Sequence, residues 1–393
     1  MEPSHALSLL GGLTPQQFMR RHWQKKPLLV RRALPDLQPF LRPAELFALA
    51  GQQDVESRLV VRQSARGGQE RWQMRSGPLA RRALPPLKTP GWTLLVQGVD
   101  LHSGPAHQLM QLFRFIPDAR LDDLMVSYAS AGGGVGPHFD SYDVFLLQAS
   151  GSRRWQIGAQ SDLSLKSGLP LKILRDFKPQ QEFVLHAGDM LYLPPRYAHD
   201  GIAVRSTDAQ GREQPCMTYS IGFRSPARHE LAGALLTRMA EGVEDAAAEQ
   251  PSVLYRDPMQ LAATAPAAMP PALLQFARDA VERILRDPQA LALALGQYLT
   301  EPKPTVWFDG ADHAWVAGMG VRLHQRTRML YDEHHVFING EGFKARGRDA
   351  RLLRELADVR RLPADRFGRL SAQAREVLCQ WLDDGWLVPD SGA

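Results

Sequence analysis

Between residues 57 and 225 the chain is cut into short apolar runs, and this pattern restricts its fold more than any other feature. "SRLVVR", "GWTLLVQGV", "LDDLMVSYA", "YDVFLLQAS", "RRWQIG", "QEFVLHAGDMLYLPP", "GIAVRS" and "CMTYSIGF" follow one another, parted by Gly, Pro and Ser. Many short strands with turn residues between them predict a sandwich or barrel. Residues 104–119 read as a helix or loop inserted among the strands.

The flanks have a different texture. Thr14-Pro15 is a helix start with Pro at its first position. Residues 43–51, "PAELFALAG", read as a short helix closed by Gly51. From 228 to 298 Ala and Leu recur at helical spacing, which predicts three helices. The apolar run 288–299 suits either the core or the surface of a second copy of the chain. "EPKPTV" at 301–306 is a boundary. Beyond it, strands are expected at "TVWF", "MGVRLHQ" and "RMLYDEHHVFING", with a hairpin turn at "NGEG" (339–342) and helices at "ARLLRELADVRRLP" and "SAQAREVLCQWLDDGWLV".

With 393 residues the chain is too long for one ordinary core. No apolar run is long enough to cross a bilayer, and the N-terminus has no signal-peptide pattern. The two cysteines, Cys216 and Cys379, exclude a disulfide scaffold or a CxxC zinc site and fit a reducing, cytoplasmic setting. A net charge of +5 tolerates an RNA-rich or ribosomal partner without demanding one.

The chemistry starts at "AGGGVGPHFDSYDVF". In extended backbone, residues i and i+2 share a face, so His138 and Asp140 project together. One imidazole and one carboxylate on a face are two-thirds of a 2-His-1-carboxylate facial triad, which leaves positions on Fe(II) for a co-substrate and oxygen. The third ligand must come from elsewhere. In "GDMLYLPPRYAHDGIAV", Gly188-Asp189 turns, Pro194-Pro195 stops the strand, and His199 opens the next. His186 reads as structural, and the adjacent His334 and His335 would face opposite ways. In "GSRRWQIG", Arg153 shares a face with Trp155 and Ile157 and points inward, whereas Arg154 reads as a solvated surface charge. Arg153 suits the distal carboxylate of 2-oxoglutarate, or else stacks over Trp155.

"GGGVGPHFDSYDVFLLQASGSRRWQIG" joined to "GDMLYLPPRYAHDG" resembles the JmjC-type ribosomal oxygenases, a 2-oxoglutarate- and Fe(II)-dependent family. "HWQKKPLLV" and "YSIGFRSP" add to the likeness. The resemblance implies a mixed α+β fold. Its parts would be a double-stranded β-helix (JmjC/cupin-like) barrel over 1–225 with a helical and extended lead-in, a helical dimerisation segment over 226–301, and a winged-helix-like domain over 302–393. It maps the metal triad onto His138, Asp140 and His199, and makes Fe(II) the cofactor with 2-oxoglutarate and O2 as co-substrates. It implies hydroxylation of a protein side chain, most simply an arginine of large-subunit ribosomal protein sixteen, by a homodimer.

Thr218 and Ser220 share a face of "CMTYSIGF" and can reach 2-oxoglutarate or the substrate, although the family often has Asn where Thr218 stands. Tyr142 continues the parity of His138 and Asp140 and could stack on a guanidinium. Asp123 could pair with a substrate arginine, and Asp122 and Asp123 could equally be exposed strand-start charges. The competing reading is a cupin-type sensor with a DNA-reading winged helix. Acids among the arginines of "RELADVRR" and "CQWLDDGW" leave no clean basic face, so direct nucleic-acid binding is not expected.

Overall fold

A computed structural model of the chain describes residues 2–64, 70–208, 210–247, 253–310 and 318–390. Contacts divide it into two compact units, Met1–Ser225 and Pro226–Ala393.

The first unit is built on eleven strands: β1 (Leu28–Val30), β2 (Ser57–Ser64), β3 (Glu70–Ser76), β4 (Trp92–Val96), β5 (Leu121–Ala129), β6 (Asp143–Ser150), β7 (Ser152–Gly158), β8 (Gln181–His186), β9 (Met190–Leu193), β10 (Ala198–Val204) and β11 (Cys216–Phe223). Three helices accompany them: α1 (Pro15–Arg21), α2 (Pro43–Leu49) and α3 (Gly104–Gln111). Eight strands form one antiparallel sheet in the order β1-β9-β6-β11-β5-β4-β2-β3, and β10-β7-β8 form a second.

Alternation along the strands gives the large sheet two buried faces. Leu94, Val96, Leu124, Val126, Phe145, Leu147, Tyr219 and Ile221 point one way, into the main core with Phe18 of α1, Phe47 of α2 and Leu109 of α3. The residues between them point the other way. There Val144, Leu146, Leu191 and Leu193 meet Trp155, Ile157 and Leu185 of the small sheet. Two facing sheets of this kind make the expected double-stranded β-helix.

Local signals read from sequence hold here. Thr14 and Gln17 cap α1 reciprocally, each side chain accepting from the other's backbone N–H. Residues 104–119 do contain a helix, started by Ser103, whose hydroxyl accepts from Ala106 N.

The second unit holds α4 (Arg228–Ala247), α5 (Pro271–Leu285), α6 (Pro288–Thr300), β12 (Gly320–Leu323), β13 (Met329–Tyr331), β14 (His335–Ile338), β15 (Glu341–Lys344), α7 (Gly347–Val359), β16 (Arg361–Leu362), α8 (Ala364–Phe367), α9 (Ala372–Asp383) and β17 (Leu387–Asp390). The strands form two small sheets, β16-β12-β17 and β13-β14-β15, around a core that includes Leu356, Leu378 and Trp381.

Two expectations fail here. "TVWF" at 305–308 forms no strand, and Trp307 is exposed. The run 328–340 is two strands, not one. The Asp332 carboxylate accepts from the backbone N–H of His334 and His335 and folds the chain back between β13 and β14. The "NG" turn then joins β14 to β15, with Asn339 and Gly340 both at positive φ.

The run 288–299 takes the core alternative. In α6, Gly296 lies against the ring of Phe337 so closely that a Cβ there would collide with it. The helix thus packs on the β13-β14-β15 sheet. By contrast, α5 buries none of its residues fully.

Candidate metal centre

The glycine run bends the backbone ahead of His138. Gly136 sits at φ +80°, a conformation that suits glycine, and its neighbours Ile173 and Trp72 leave little room for a side chain. The segment that follows is not a sheet strand, since β6 begins only at Asp143. Instead His138 forms an isolated antiparallel bridge with His199, the second residue of β10. Each donates its backbone N–H to the other's carbonyl, at 2.9 and 2.8 Å. That bridge, rather than a ladder, brings the two imidazoles together, with ring centroids 4.2 Å apart. Asp140 is tied to the same turn, its carbonyl accepting from Arg196 N at 2.6 Å.

The result is one cluster. A ligand atom from each of His138, Asp140 and His199 lies within 4.8 Å of the others. Asp140 Oδ2 is 3.6 Å from His199 Nε2. His138 Nδ1 lies 2.9 Å from Gly136 O, and His199 Nδ1 lies 2.9 Å from Tyr197 O. A carbonyl can only accept, so both Nδ1 atoms carry the proton and both Nε2 atoms are left to face the cluster. Burial, and then the neighbouring His138, lower the pKa of His199 to about 4 against the pull of Asp140. At neutral pH it is therefore uncharged, as a ligand must be. Two imidazoles and one carboxylate fit a divalent metal of the non-haem iron type.

Arg153 points into the same interior from β7 and is only 5% exposed. Its Nη2 donates to Ser127 Oγ at 3.4 Å, and its Nε is buried without a hydrogen-bond partner. It also lies over the Trp155 ring, 5.7 Å from the centroid, so the two sequence readings of this residue are compatible. The guanidinium is thus buried with one hydroxyl and one ring beside it and a donor left over.

Thr218 faces inward from β11 and donates its hydroxyl to Gln148 Oε1 at 3.0 Å. Gln148 in turn donates to Ser150 O and Cys216 Sγ. The sequence reading passed over Gln148, although its inward parity in the apolar strand "YDVFLLQAS" marks it. Ser220 faces inward too, paired across the sheet with Met125 and Leu146.

The two strand-start acids part company. Asp122 is 39% exposed and lies 3.6 Å from Arg224. Asp123 is buried, and its Oδ2 accepts from Gly98 N at 3.2 Å. A Cβ on Gly222 would stand 3.8 Å from both Asp123 Oδ1 and Tyr142 Cε2. The carboxylate and the ring thus flank a glycine that supplies no side chain between them. Tyr142 is 38% exposed, and burial of its hydroxyl, with Asp140 and Asp123 nearby, raises its pKa. It is a neutral phenol at neutral pH. His186 is exposed at the end of β8, its Nδ1 2.9 Å from Ser152 Oγ.

Comparison with known proteins agrees with this geometry. The JmjC domain family matches residues 108–231, and the ROXA-like winged helix matches 283–388. The ribosomal protein uL16 3-hydroxylase of Escherichia coli K12 is 32% identical over 363 residues, spanning 89% of this chain and 90% of that protein. The chain belongs to the JmjC ribosomal oxygenases. An X-ray structure of E. coli YcfD superposes with a TM-score of 0.80 at 29% identity, covering 96% of this chain and 98% of that one. Another YcfD structure, in complex with cobalt and 2-oxoglutarate, matches at a TM-score of 0.77 and 29% identity, covering 96% and 99%. The winged-helix match of this ribosomal oxygenase starts within α5 and takes in all of α6, in keeping with the packing of α6 on the β13-β14-β15 sheet.

Proposed function

We propose that the chain is a 2-oxoglutarate- and Fe(II)-dependent oxygenase that hydroxylates a side chain of a large-subunit ribosomal protein, an arginine of uL16. The observation that carries this is the pairing of the His138–Asp140–His199 cluster with the buried, incompletely partnered guanidinium of Arg153. His138, Asp140 and His199 would hold the metal. The distal carboxylate of 2-oxoglutarate would take the donors of Arg153, and Thr218, committed to Gln148, would shape the wall beside it. With O2, the loaded centre would oxidise an unactivated C–H to an alcohol as 2-oxoglutarate goes to succinate and carbon dioxide.

The protein's own part is positional. Asp123 and Tyr142, on either side of Gly222, would grip a cationic planar side chain by charge and by stacking. Ser220 would offer a hydroxyl further in. No side chain is asked to act as a general base. The cytoplasm, where ribosomal proteins are made, would be its place of work.

The dimer expected of the helical segment would form through α5. Leu274, Val281 and Leu285 are each at least half exposed, and spacings of seven and four put them on one face.

The test is succinate formation from 2-oxoglutarate with iron, with and without uL16. Stimulation by uL16 supports the reading. Turnover indifferent to every ribosomal protein would remove the substrate and leave the oxygenase.

A further inference from the structure

Beside the β14-β15 hairpin and the first turns of α7 lies a cavity of about 360 Å³, lined also by Gln289 of α6. Its walls are cationic. Lys344 ends β15, Arg346 precedes α7, and Arg351 and Arg354 follow on the helix. Gly347, Ala350, Arg351 and Arg354 stand at i, i+3, i+4 and i+7, which is one face of a helix, and all four line the cavity.

Lys344, Arg346 and Arg351 are exposed, and none has an ion pair or a side-chain hydrogen bond among the described residues. Arg354 is anchored. Its Nη2 donates to Asp332 O at 3.0 Å and Glu333 O at 2.9 Å, and its guanidinium lies over the Tyr331 ring. Glu333 is the acid on this lining. The acids of α7 are engaged elsewhere. Asp349 accepts from Ser371 N at 3.0 Å, Glu355 lies 3.7 Å from Arg366, and Asp358 accepts from the Tyr331 hydroxyl at 2.9 Å. Three unpaired cations and a fixed fourth thus face one carboxylate, a field that an anion relieves.

Guanidinium forks and an ammonium match phosphate oxygens. From Arg346 to Arg354 the chain advances about 12 Å, at about 1.5 Å per helical residue, which is longer than a single phosphate group spans. A row of phosphates suits that length. The hydroxylase reading names the source: a ribosomal protein is an RNA-binding partner, and an oxygenase that meets it meets RNA. We propose that this cavity binds the phosphate oxygens of an RNA strand through Lys344, Arg346, Arg351 and Arg354. It shares no residue with the metal centre. The expectation from sequence is thereby reversed, because "RELADVRR" showed acids among the arginines but not what they pair with.

The test uses the full-length protein, a cavity variant Lys344→Gln/Arg351→Gln, and a control of equal charge, Arg369→Gln/Arg375→Gln. The control arginines are exposed and lie outside the cavity. Kd for a fluorescein-labelled single-stranded RNA is read by anisotropy over a series of salt concentrations, with no ribosomal protein present. Loss of two phosphate contacts predicts a Kd about 10-fold higher for the cavity variant. It also predicts a plot of log Kd against log salt less steep by about 1.4, at about 0.7 per contact. The control should bind as the parent does. Thermal midpoints near the parent's show that both variants are folded. A parent that does not bind RNA at low salt would overturn the proposal. So would a cavity variant that binds as tightly as the parent, or a control weakened as much as the cavity variant. Polyglutamate displacing the RNA as well as unlabelled RNA does, at equal charge, would overturn the choice of phosphate. Because binding is read without hydroxylation, failure of the hydroxylase reading and failure of this one are separate results.

Discussion

His138 and His199 are prepared for a metal by atoms that would not touch it. The Nδ1 contacts to Gly136 O and Tyr197 O fix both tautomers, and the reciprocal backbone bridge fixes the spacing. Replacing His138 by Ala leaves these backbone bonds in place. We expect it to abolish 2-oxoglutarate turnover while circular dichroism and the unfolding midpoint stay near those of the parent. Arg153→Met removes the fork expected to hold the co-substrate and should raise KM for 2-oxoglutarate about 10- to 100-fold. Asp189 makes a pH-dependent structural tie. Burial alone would raise its pKa, but hydrogen bonds from Arg32 N, His186 N and the Arg31 side chain outweigh that and hold it below the usual value. Its stabilisation is therefore present at neutral pH and fades as pH falls below about 4, the unfolded value. Asp189→Asn should cost about 1–3 kcal/mol in urea unfolding at pH 7. It should also flatten the loss of stability on acidification.

At the scale of elements, period-two alternation made most of the site legible. It put His138 with Asp140 and Thr218 with Ser220, each pair on one face, and turned Arg153 inward; the family resemblance joined them in one site. What alternation does not carry is contact between distant strands. Nothing in "CMTYSIGF" says that Thr218 gives its hydroxyl to Gln148, seventy residues earlier. Nor could spacing decide between Asp122 and Asp123, because Gly98, which donates to Asp123, comes from the turn after β4. The strand expected at 305–308 failed because β propensity needs a neighbour to pair with. Close packing gives a further prediction. A Cβ on Gly201 would stand 2.5 Å from the Trp155 ring. Gly201→Ala should therefore destabilise the barrel by about 1–3 kcal/mol, read from the thermal midpoint, and disturb Arg153, whose guanidinium lies over that ring.

The whole molecule joins a metal barrel to a second unit whose helix α5 leaves an apolar stripe uncovered. Helical periodicity showed the helices in the sequence, and the run it offered for a second copy was 288–299, in α6. It could not show that α6 is spent on the core, because Ala and Leu serve burial and association alike. If α5 is the dimer contact, Val281→Glu should shift the protein from dimer to monomer in light scattering and leave peptide-free turnover unchanged. The central claim is that this molecule adds oxygen to a ribosomal protein. Mass spectrometry of uL16 incubated with the protein, iron and 2-oxoglutarate tests it most directly. The account predicts a gain of one oxygen on an arginine, absent without 2-oxoglutarate and absent with His138→Ala. An unmodified uL16, from a protein that still binds and turns over 2-oxoglutarate, would contradict it.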